Sequence, residues 1–260
     1  QIDYKCAAGD ASALSTIVTN MTDGTYDMIF SIATPPTQAL VNSETDTPVF
    51  FCAVSAPTAA GILSDMDKPD KNATGTSNAI PVSKIIDLAQ ATTPVKKIGL
   101  IYSGNEDNAT NTVKQCEEYL KSINVEYVEK TGTTNDEISL AADALVAAGV
   151  DAVFTPTDNT VMTAELAIYE KFVEAGIPHY AGADSFALNG AFAGYGVDYA
   201  NLGAKTADMV ADILLNGADP ATTPVETFDN GTATVNTETC EGLGLDFETI
   251  KKDFEPLCTQ

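Results

Sequence analysis

Small polar and acidic side chains follow an apolar segment, residues 150–155, of this 260-residue sequence. The turn Thr157-Asp158-Asn159 places a hydroxyl, a carboxylate and an amide directly ahead of a predicted helix over residues 161–175. A related pattern occurs earlier, where an apolar segment ends at Thr34 and Pro35. Because ligands of open α/β sheets bind where strand ends meet helix starts, both turns are candidate binding sites.

The same kinds of side chain recur at the ends of other predicted strands. Hydroxyls and helix-start N–H groups suit a ligand carboxylate, and Asp158 or Asp184 suits an ammonium group. An α-amino acid carries both groups. Taken singly, each residue is also an ordinary helix N-cap, but the recurrence at successive strand ends favours binding. The candidate set contains no basic residue: Thr34, Pro35, Ser55, Asn78, Ser103, Asn105, Thr157, Asp158, Asn159, Asp184, Ser185 and Asp198.

Motifs for catalysis or cofactor binding are weak or missing in the sequence. The single histidine, His179, lies in a predicted strand without a Gly-x-Ser-x-Gly motif, which favours a structural role over a Ser-His-Asp triad. No Gly-x-Gly-x-x-Gly motif, phosphate loop or zinc-type Cys/His spacing is present. We therefore expect no catalytic residue, no cofactor and no metal. A hydrolase that uses Asp158 and Asp184 is the enzymatic alternative.

Composition excludes several other function classes. The net charge of −24, from 37 acidic and 13 basic residues, disfavours binding to nucleic acid or to an anionic membrane surface. No apolar run approaches the roughly 20 residues of a membrane span. Of five cysteines, Cys52 and Cys116 are expected in cores, whereas Cys240 and Cys258 flank a short segment and could pair.

Strands and helices alternate along the chain, which is typical of parallel sheets with helices on both faces. The nearly unbroken apolar residues of 27–33 predict a strand buried on both faces. Strands are predicted at 2–6, 27–33, 48–54, 73–78, 97–102, 125–129, 150–155, 178–182, 191–197, 224–228 and 233–236. Helices are predicted at 11–21, 36–43, 82–91, 110–123, 135–148, 161–175, 202–215 and 238–242, with a short helix or turn at 59–66, a further helix within 247–254 and a hairpin turn at 229–232.

Five short motifs resemble one known family. They are DMIFSIATP at 27–35, FCAVSAP at 51–57, NATG at 72–75, PTDNT at 156–160 and GVDY at 196–199. In this order, over nearly the whole chain, they resemble the ABC-transporter substrate-binding proteins of the tryptophan/aromatic amino acid type. The resemblance implies an α/β fold of the type I periplasmic-binding-protein architecture, with two Rossmann-like lobes, parallel sheets and a ligand cleft between the lobes.

The resemblance also implies lobe boundaries. Residues 1–77 and 199–222 would form the N-terminal lobe, and residues 78–198 and 223–260 the C-terminal lobe, with crossovers near 75–78, 196–199 and 222–225. Family members begin with a strand and a helix ahead of the strand at 2–6, and this chain lacks both. Part of the ligand site is therefore expected on residues outside this sequence.

From the resemblance we expect an extracytoplasmic receptor of an ABC importer, either a cell-surface lipoprotein or a periplasmic protein. It would bind an α-amino acid, aromatic or large and apolar, and deliver it to the permease subunits. Membrane contact is expected only through a lipid anchor absent from this sequence. A sugar or nucleoside receptor of the same fold stays open, although no Trp is present to stack on a sugar ring. A regulator's ligand-sensing domain shares the fold, but no basic patch supports it.

Overall fold

The computed structural model describes residues 1–228 and 231–257. The helices are α1 (Ala11–Met21), α2 (Thr34–Asn42), α3 (Val82–Thr92), α4 (Asp107–Ser122), α5 (Asn135–Ala148), α6 (Asn159–Glu174), α7 (Asp184–Leu188), α8 (Tyr199–Asn216), α9 (Thr237–Gly242) and α10 (Phe247–Ile250), with a 3-10 turn at Pro220–Thr222. The strands are β1 (Ile29–Ile32), β2 (Val49–Cys52), β3 (Ala73–Ser77), β4 (Lys97–Ser103), β5 (Glu126–Gly132), β6 (Ala152–Thr155), β7 (His179–Ala181), β8 (Ala193–Gly196), β9 (Glu226–Thr227), β10 (Thr232–Asn236) and β11 (Glu255–Leu257).

The chain divides into two compact units. Unit 1 comprises Gln1–Ala79 and Asp198–Phe228, and unit 2 comprises Ile80–Val197 and Asp229–Gln260. The predicted lobe boundaries differ from these unit boundaries most at residues 223–228. There β9 pairs with β3 and so belongs to the sheet of unit 1, whereas the prediction placed it in the second lobe.

Unit 1 contains a four-stranded sheet in the order β1-β2-β3-β9, with every described pairing parallel. One face carries a hydrophobic core in which Val18 of α1 and Leu40 of α2 pack with sheet residues such as Val49. The helix α8 packs against β2 and β3, where the Thr76 and Thr206 hydroxyls lie 2.7 Å apart. Side chains alternate along β3, so α8 covers the face opposite the core of α1 and α2.

Two predictions for the start of the chain are wrong. β1 is half exposed rather than buried, because it is the edge strand and α8 packs mainly on β2 and β3; Phe30 and Ile32 are 42% and 58% exposed. The strand predicted at residues 2–6 does not form. Ile2 and Tyr4 are 96% and 79% exposed, since no strand pairs with this alternating segment in the described part of the chain.

Unit 2 contains a seven-stranded sheet in the order β11-β10-β8-β7-β6-β4-β5. Its described pairings are parallel except β8 with β10, which is antiparallel. Helices α3 and α4 contribute to one hydrophobic core and α5, α6 and α7 to another. The expected α/β architecture with helices on both sheet faces is therefore confirmed here, with one antiparallel pair that the pattern did not predict.

Smaller differences concern short elements. Residues 59–66 form turns without a helix, and α4 begins at Asp107, three residues before its predicted start. Neither α7 nor β11 was predicted, because segments of five and three residues are too short for a periodic signal. Two further predictions, the hairpin turn at 229–232 and the Cys240–Cys258 pairing, involve residues that lie outside the described ranges. Across those ranges, no helix combines the length and apolar composition needed to cross a bilayer.

Candidate functional site

Two segments of unit 2 lie side by side at the carboxyl ends of paired strands. β4 pairs with β6, so the loop 103–108 and the turn 157–161 meet at one edge of the sheet. Two buried carboxylates, from Asp158 and Glu106, hold these segments together. We call residues 103–108 and 157–161 the acidic clasp.

Asp158 joins the two segments through both of its carboxylate oxygens. One accepts the backbone N–H of Ser103 at 2.6 Å, and the other accepts the N–H of Val161 at 2.9 Å, which makes Asp158 the N-cap of α6. The side chain is only 3% exposed. Burial, followed by the charge of Glu106, raises the pKa of Asp158 to about 7, although its N–H partners act in the opposite direction.

Glu106 binds the first turn of α6. Its carboxylate accepts the backbone N–H and the carboxamide of Asn159 at 3.2 and 2.8 Å. It also accepts the backbone N–H and the hydroxyl of Thr160 at 3.0 and 3.1 Å. These N–H groups have no partner within a helix and would otherwise attract an anion. Because Glu106 and Asp158 use them, the start of α6 binds the protein's own carboxylates, and the expected ligand carboxylate is better placed elsewhere.

Asn108 completes the acidic clasp. It lies in the first turn of α4, is 2% exposed, and donates its carboxamide N–H to the carbonyl of Thr157 at 2.8 Å. Neither Asn108 nor Glu106 was among the predicted site residues. The sequence signal was the run Asn105-Glu106-Asp107-Asn108, which the prediction treated as a loop before a later helix start.

The remaining predicted residues of unit 2 lie at or beside the acidic clasp. Asn105 is exposed, and its backbone N–H donates to the Ser103 hydroxyl at 3.3 Å. Asp184 and Ser185 begin α7 and are partly exposed. The preceding turn packs closely, since a Cβ added at Gly182 would lie 2.8 Å from the Thr157 nitrogen. The start of α7 is therefore adjacent to the acidic clasp.

In unit 1, Thr34 and Pro35 are the first two residues of α2, and Ser55 follows β2 by three positions. The N–H of Ala33 donates to the Cys52 carbonyl at 3.0 Å, which joins the ends of β1 and β2. Because Pro35 and the residue after it have no backbone N–H, the start of α2 offers hydroxyl groups rather than a row of N–H donors.

Asn78 contacts Tyr199, the residue that follows Asp198. Asn78 follows β3, is 3% exposed, and its carboxamide lies 3.2 Å from the Tyr199 hydroxyl. Asp198 is the N-cap of α8 and accepts the N–H of Asn201 at 3.0 Å. All twelve predicted residues thus lie at strand ends or helix starts, five in unit 1 and seven in unit 2. Their contact with a ligand stays a prediction.

His179 belongs to a buried network beneath the acidic clasp. Its Nε2 lies 2.8 Å from the Thr155 hydroxyl and its Nδ1 3.0 Å from a Glu165 oxygen. All three side chains are at most 2% exposed, and the imidazole ring makes edge contacts with Phe172 and Phe186. The Thr-His-Glu order resembles a catalytic triad, but both ring nitrogens of His179 are hydrogen-bonded within this buried network, which indicates a structural role. Within residues 1–228 and 231–257, no group of three or more His, Cys, Asp or Glu side chains could hold a metal ion.

A profile of the ABC transporter substrate binding protein family matches residues 1–251. The chain belongs to this family. The family predicted from the sequence and its type I periplasmic-binding-protein fold are both confirmed. Substrate-binding proteins of ABC transporters are receptors rather than enzymes; they take up a small-molecule ligand outside the cytoplasm and pass it to the permease.

Three relatives of this substrate-binding protein illustrate the similarity. The tyrosine-binding protein of Clostridioides difficile (strain R20291) is 32% identical over 246 residues, covering 94% of this chain and 71% of the relative. The ABC domain in complex with L-Trp from Streptococcus pneumonia has a TM-score of 0.92 and 29% identity, covering 98% of this chain and 89% of that one. A ligand-free, open substrate-binding protein with adhesive properties from Clostridium difficile has a TM-score of 0.74 and 32% identity, covering 100% and 88%.

Proposed function

We propose that this chain is the receptor of an ABC importer for an α-amino acid with an aromatic or large apolar side chain. Similarity to a protein named for tyrosine binding and to one in complex with L-Trp supports the side-chain class. The observation that carries the proposal is the acidic clasp, which buries two carboxylates at a strand-end edge without a basic residue. Such an edge attracts an ammonium group and repels a second anion.

The charge distribution suggests that different protein groups bind the carboxylate and the ammonium of the ligand. All 13 basic residues of the chain are lysines, so no guanidinium is available to bind a carboxylate in a fork. Hydroxyls and backbone N–H groups around Thr34, Ser55 and Ser185 would bind the ligand carboxylate. The Glu106 carboxylate, and Asp158 in its ionised form, would act on the ammonium group. The twelve predicted residues are proposed as the site on this basis.

We propose an extracytoplasmic location, as a cell-surface lipoprotein or a periplasmic protein, and the absence of catalysis by Asp158 and Asp184. Both carboxylate oxygens of Asp158 accept backbone N–H groups, and the side chain is buried. Asp158 is therefore a poor candidate for a general acid or base.

Native mass spectrometry tests the proposed ligand class. The purified protein is freed of bound solute, mixed with equimolar amino acids, sugars and nucleosides, and analysed as intact complexes. We expect one complex with an aromatic amino acid to dominate. A dominant sugar or nucleoside complex would contradict the proposal, and a ligand recovered in hydrolysed form would indicate an enzyme.

A further inference from the structure

The side-chain oxygen of Asn108 is a buried acceptor without a hydrogen-bond donor. Within the described residues it lies among the few side-chain atoms that are buried and unpartnered. Buried polar groups in proteins are nearly always hydrogen-bonded, so each exception needs a physical explanation. A donor on a ligand would satisfy such an acceptor beside a strand-end edge.

The orientation of the Asn108 carboxamide follows from its other contact. The Thr157 carbonyl can only accept, so the Asn108 atom 2.8 Å away must be the nitrogen, and the oxygen is the free atom. Asn78 in unit 1 differs, because its partner, the Tyr199 hydroxyl, can donate or accept and leaves the orientation open. The assignment of the oxygen and nitrogen atoms of the Asn108 carboxamide is therefore fixed by this contact.

The surroundings of this oxygen favour a positively charged donor. Asn108 is two residues from Glu106 and binds the carbonyl next to Asp158, so both buried carboxylates belong to the same clasp. Residues 103–108 and 157–161 contain no Lys, Arg or His. The oxygens of Asp158 and Glu106 already accept protein N–H or O–H groups, whereas the Asn108 oxygen accepts none.

We propose that Asn108 is the residue that binds the α-ammonium group of the ligand, through its side-chain oxygen, and that it selects ligands bearing an amine. This inference rests on the proposed amino acid function and adds which residue recognises which ligand group. Asp158 and Glu106 act on the same group through their charge and position Asn108 through the clasp.

A thermodynamic cycle tests this assignment by combining two changes, one in residue 108 and one in the amine of the ligand. Dissociation constants are measured for L-tyrosine and L-tryptophan and for their des-amino analogues, with the wild-type protein and with Asn108→Ala. A hydrogen bond to a charged group corresponds to about 10- to 100-fold in affinity. We expect the preference for the amino acid over its analogue to fall by about this factor in Asn108→Ala, while affinity for the analogue changes little.

Asn236 provides a matched control in the same unit. It is fully buried and donates its carboxamide N–H to the Ala187 carbonyl at 2.7 Å, but its oxygen already accepts the N–H of Thr239 at 2.9 Å. Asn236→Ala removes the same kind of hydrogen bond to a carbonyl without removing a free acceptor. We expect it to lower the melting temperature and leave the amine preference unchanged.

A second measurement avoids any folding defect of the variant. In isotope-labelled wild-type protein, the side-chain amide resonances of Asn108 should shift with L-tyrosine or L-tryptophan and not with the des-amino analogues. Equal shifts with both ligand types, or an unchanged amine preference in Asn108→Ala, would overturn the assignment while leaving the amino acid function intact. Failure of the wild-type protein to bind either amino acid would instead overturn the proposed function.

Discussion

Asp158→Asn should change how the stability of the protein depends on pH. In the folded protein, burial and the nearby Glu106 raise the pKa of Asp158 to about 7, from an ordinary value of 3.8. The folded protein therefore binds more protons than the unfolded chain between these two values. The stability that comes from protonated Asp158 is fully present below the unfolded pKa and is lost as the pH rises through the folded pKa.

The expected magnitude follows from the two pKa values. As the pH rises from about 5.5 to about 8, the ionisation of Asp158 should lower the free energy of unfolding of the wild type by about 2 kcal/mol. Asparagine at this position keeps the N-cap bond to Val161 and loses the bond to Ser103, which costs about 1 kcal/mol at every pH. The stability advantage of the wild type over the variant should therefore shrink by about 2 kcal/mol across this range.

Urea unfolding of both proteins, followed by circular dichroism at several pH values, measures this difference. Asp10→Asn is a suitable control, because Asp10 caps α1 by accepting the Ala13 N–H at 2.8 Å but is exposed. The Ser12 hydroxyl and the backbone N–H groups lower the pKa of Asp10, so it stays ionised throughout the range. The control difference should be constant. An Asp158→Asn difference that is also constant, or that grows with pH, would refute the reasoning.

Three further substitutions probe the fold by equilibrium unfolding. Ala33→Gly should stabilise the protein by about 1 kcal/mol, since Ala33 adopts φ 75° and ψ 165°, a conformation that only glycine adopts without strain; a loss of stability would show that no strain is relieved. Gly75→Ala should cost about 3 kcal/mol or more, because the added Cβ would lie 1.9 Å from the Phe51 carbonyl oxygen; a stable variant would argue against this close approach of β2 and β3. Glu165→Ala should cost about 1–3 kcal/mol by leaving the buried Nδ1 of His179 without its hydrogen-bond partner, and a loss below about 0.5 kcal/mol would mean that this bond contributes little.

Elements with complete local signals were predicted well from the sequence. α1 and α5 have the predicted bounds, because their apolar periodicity is bordered by residues that act as caps in the structure. Asp10 and Thr134 cap their N-termini, and Gly149 ends α5 in the left-handed conformation. In these helices the chain segment itself contains the information that sets its ends.

Features that depend on distant neighbours were not predictable. The exposure of Phe30 depends on which strands α8 covers, and α8 follows β1 by more than half the chain. Glu106 became recognisable only when the pairing of β4 with β6 brought it to Thr160, 54 positions later. Likewise, the sequence identified Asp158 as either a cap or a ligand residue, and only its N–H partners and burial reveal the capping role.

Calorimetric titration of the purified protein with each of the twenty L-amino acids tests the central claim most directly. We expect saturable binding of tyrosine, tryptophan or phenylalanine, with acidic amino acids binding most weakly because of the buried carboxylates of Asp158 and Glu106. The absence of binding for all twenty amino acids, by a protein that unfolds cooperatively, would contradict the claim.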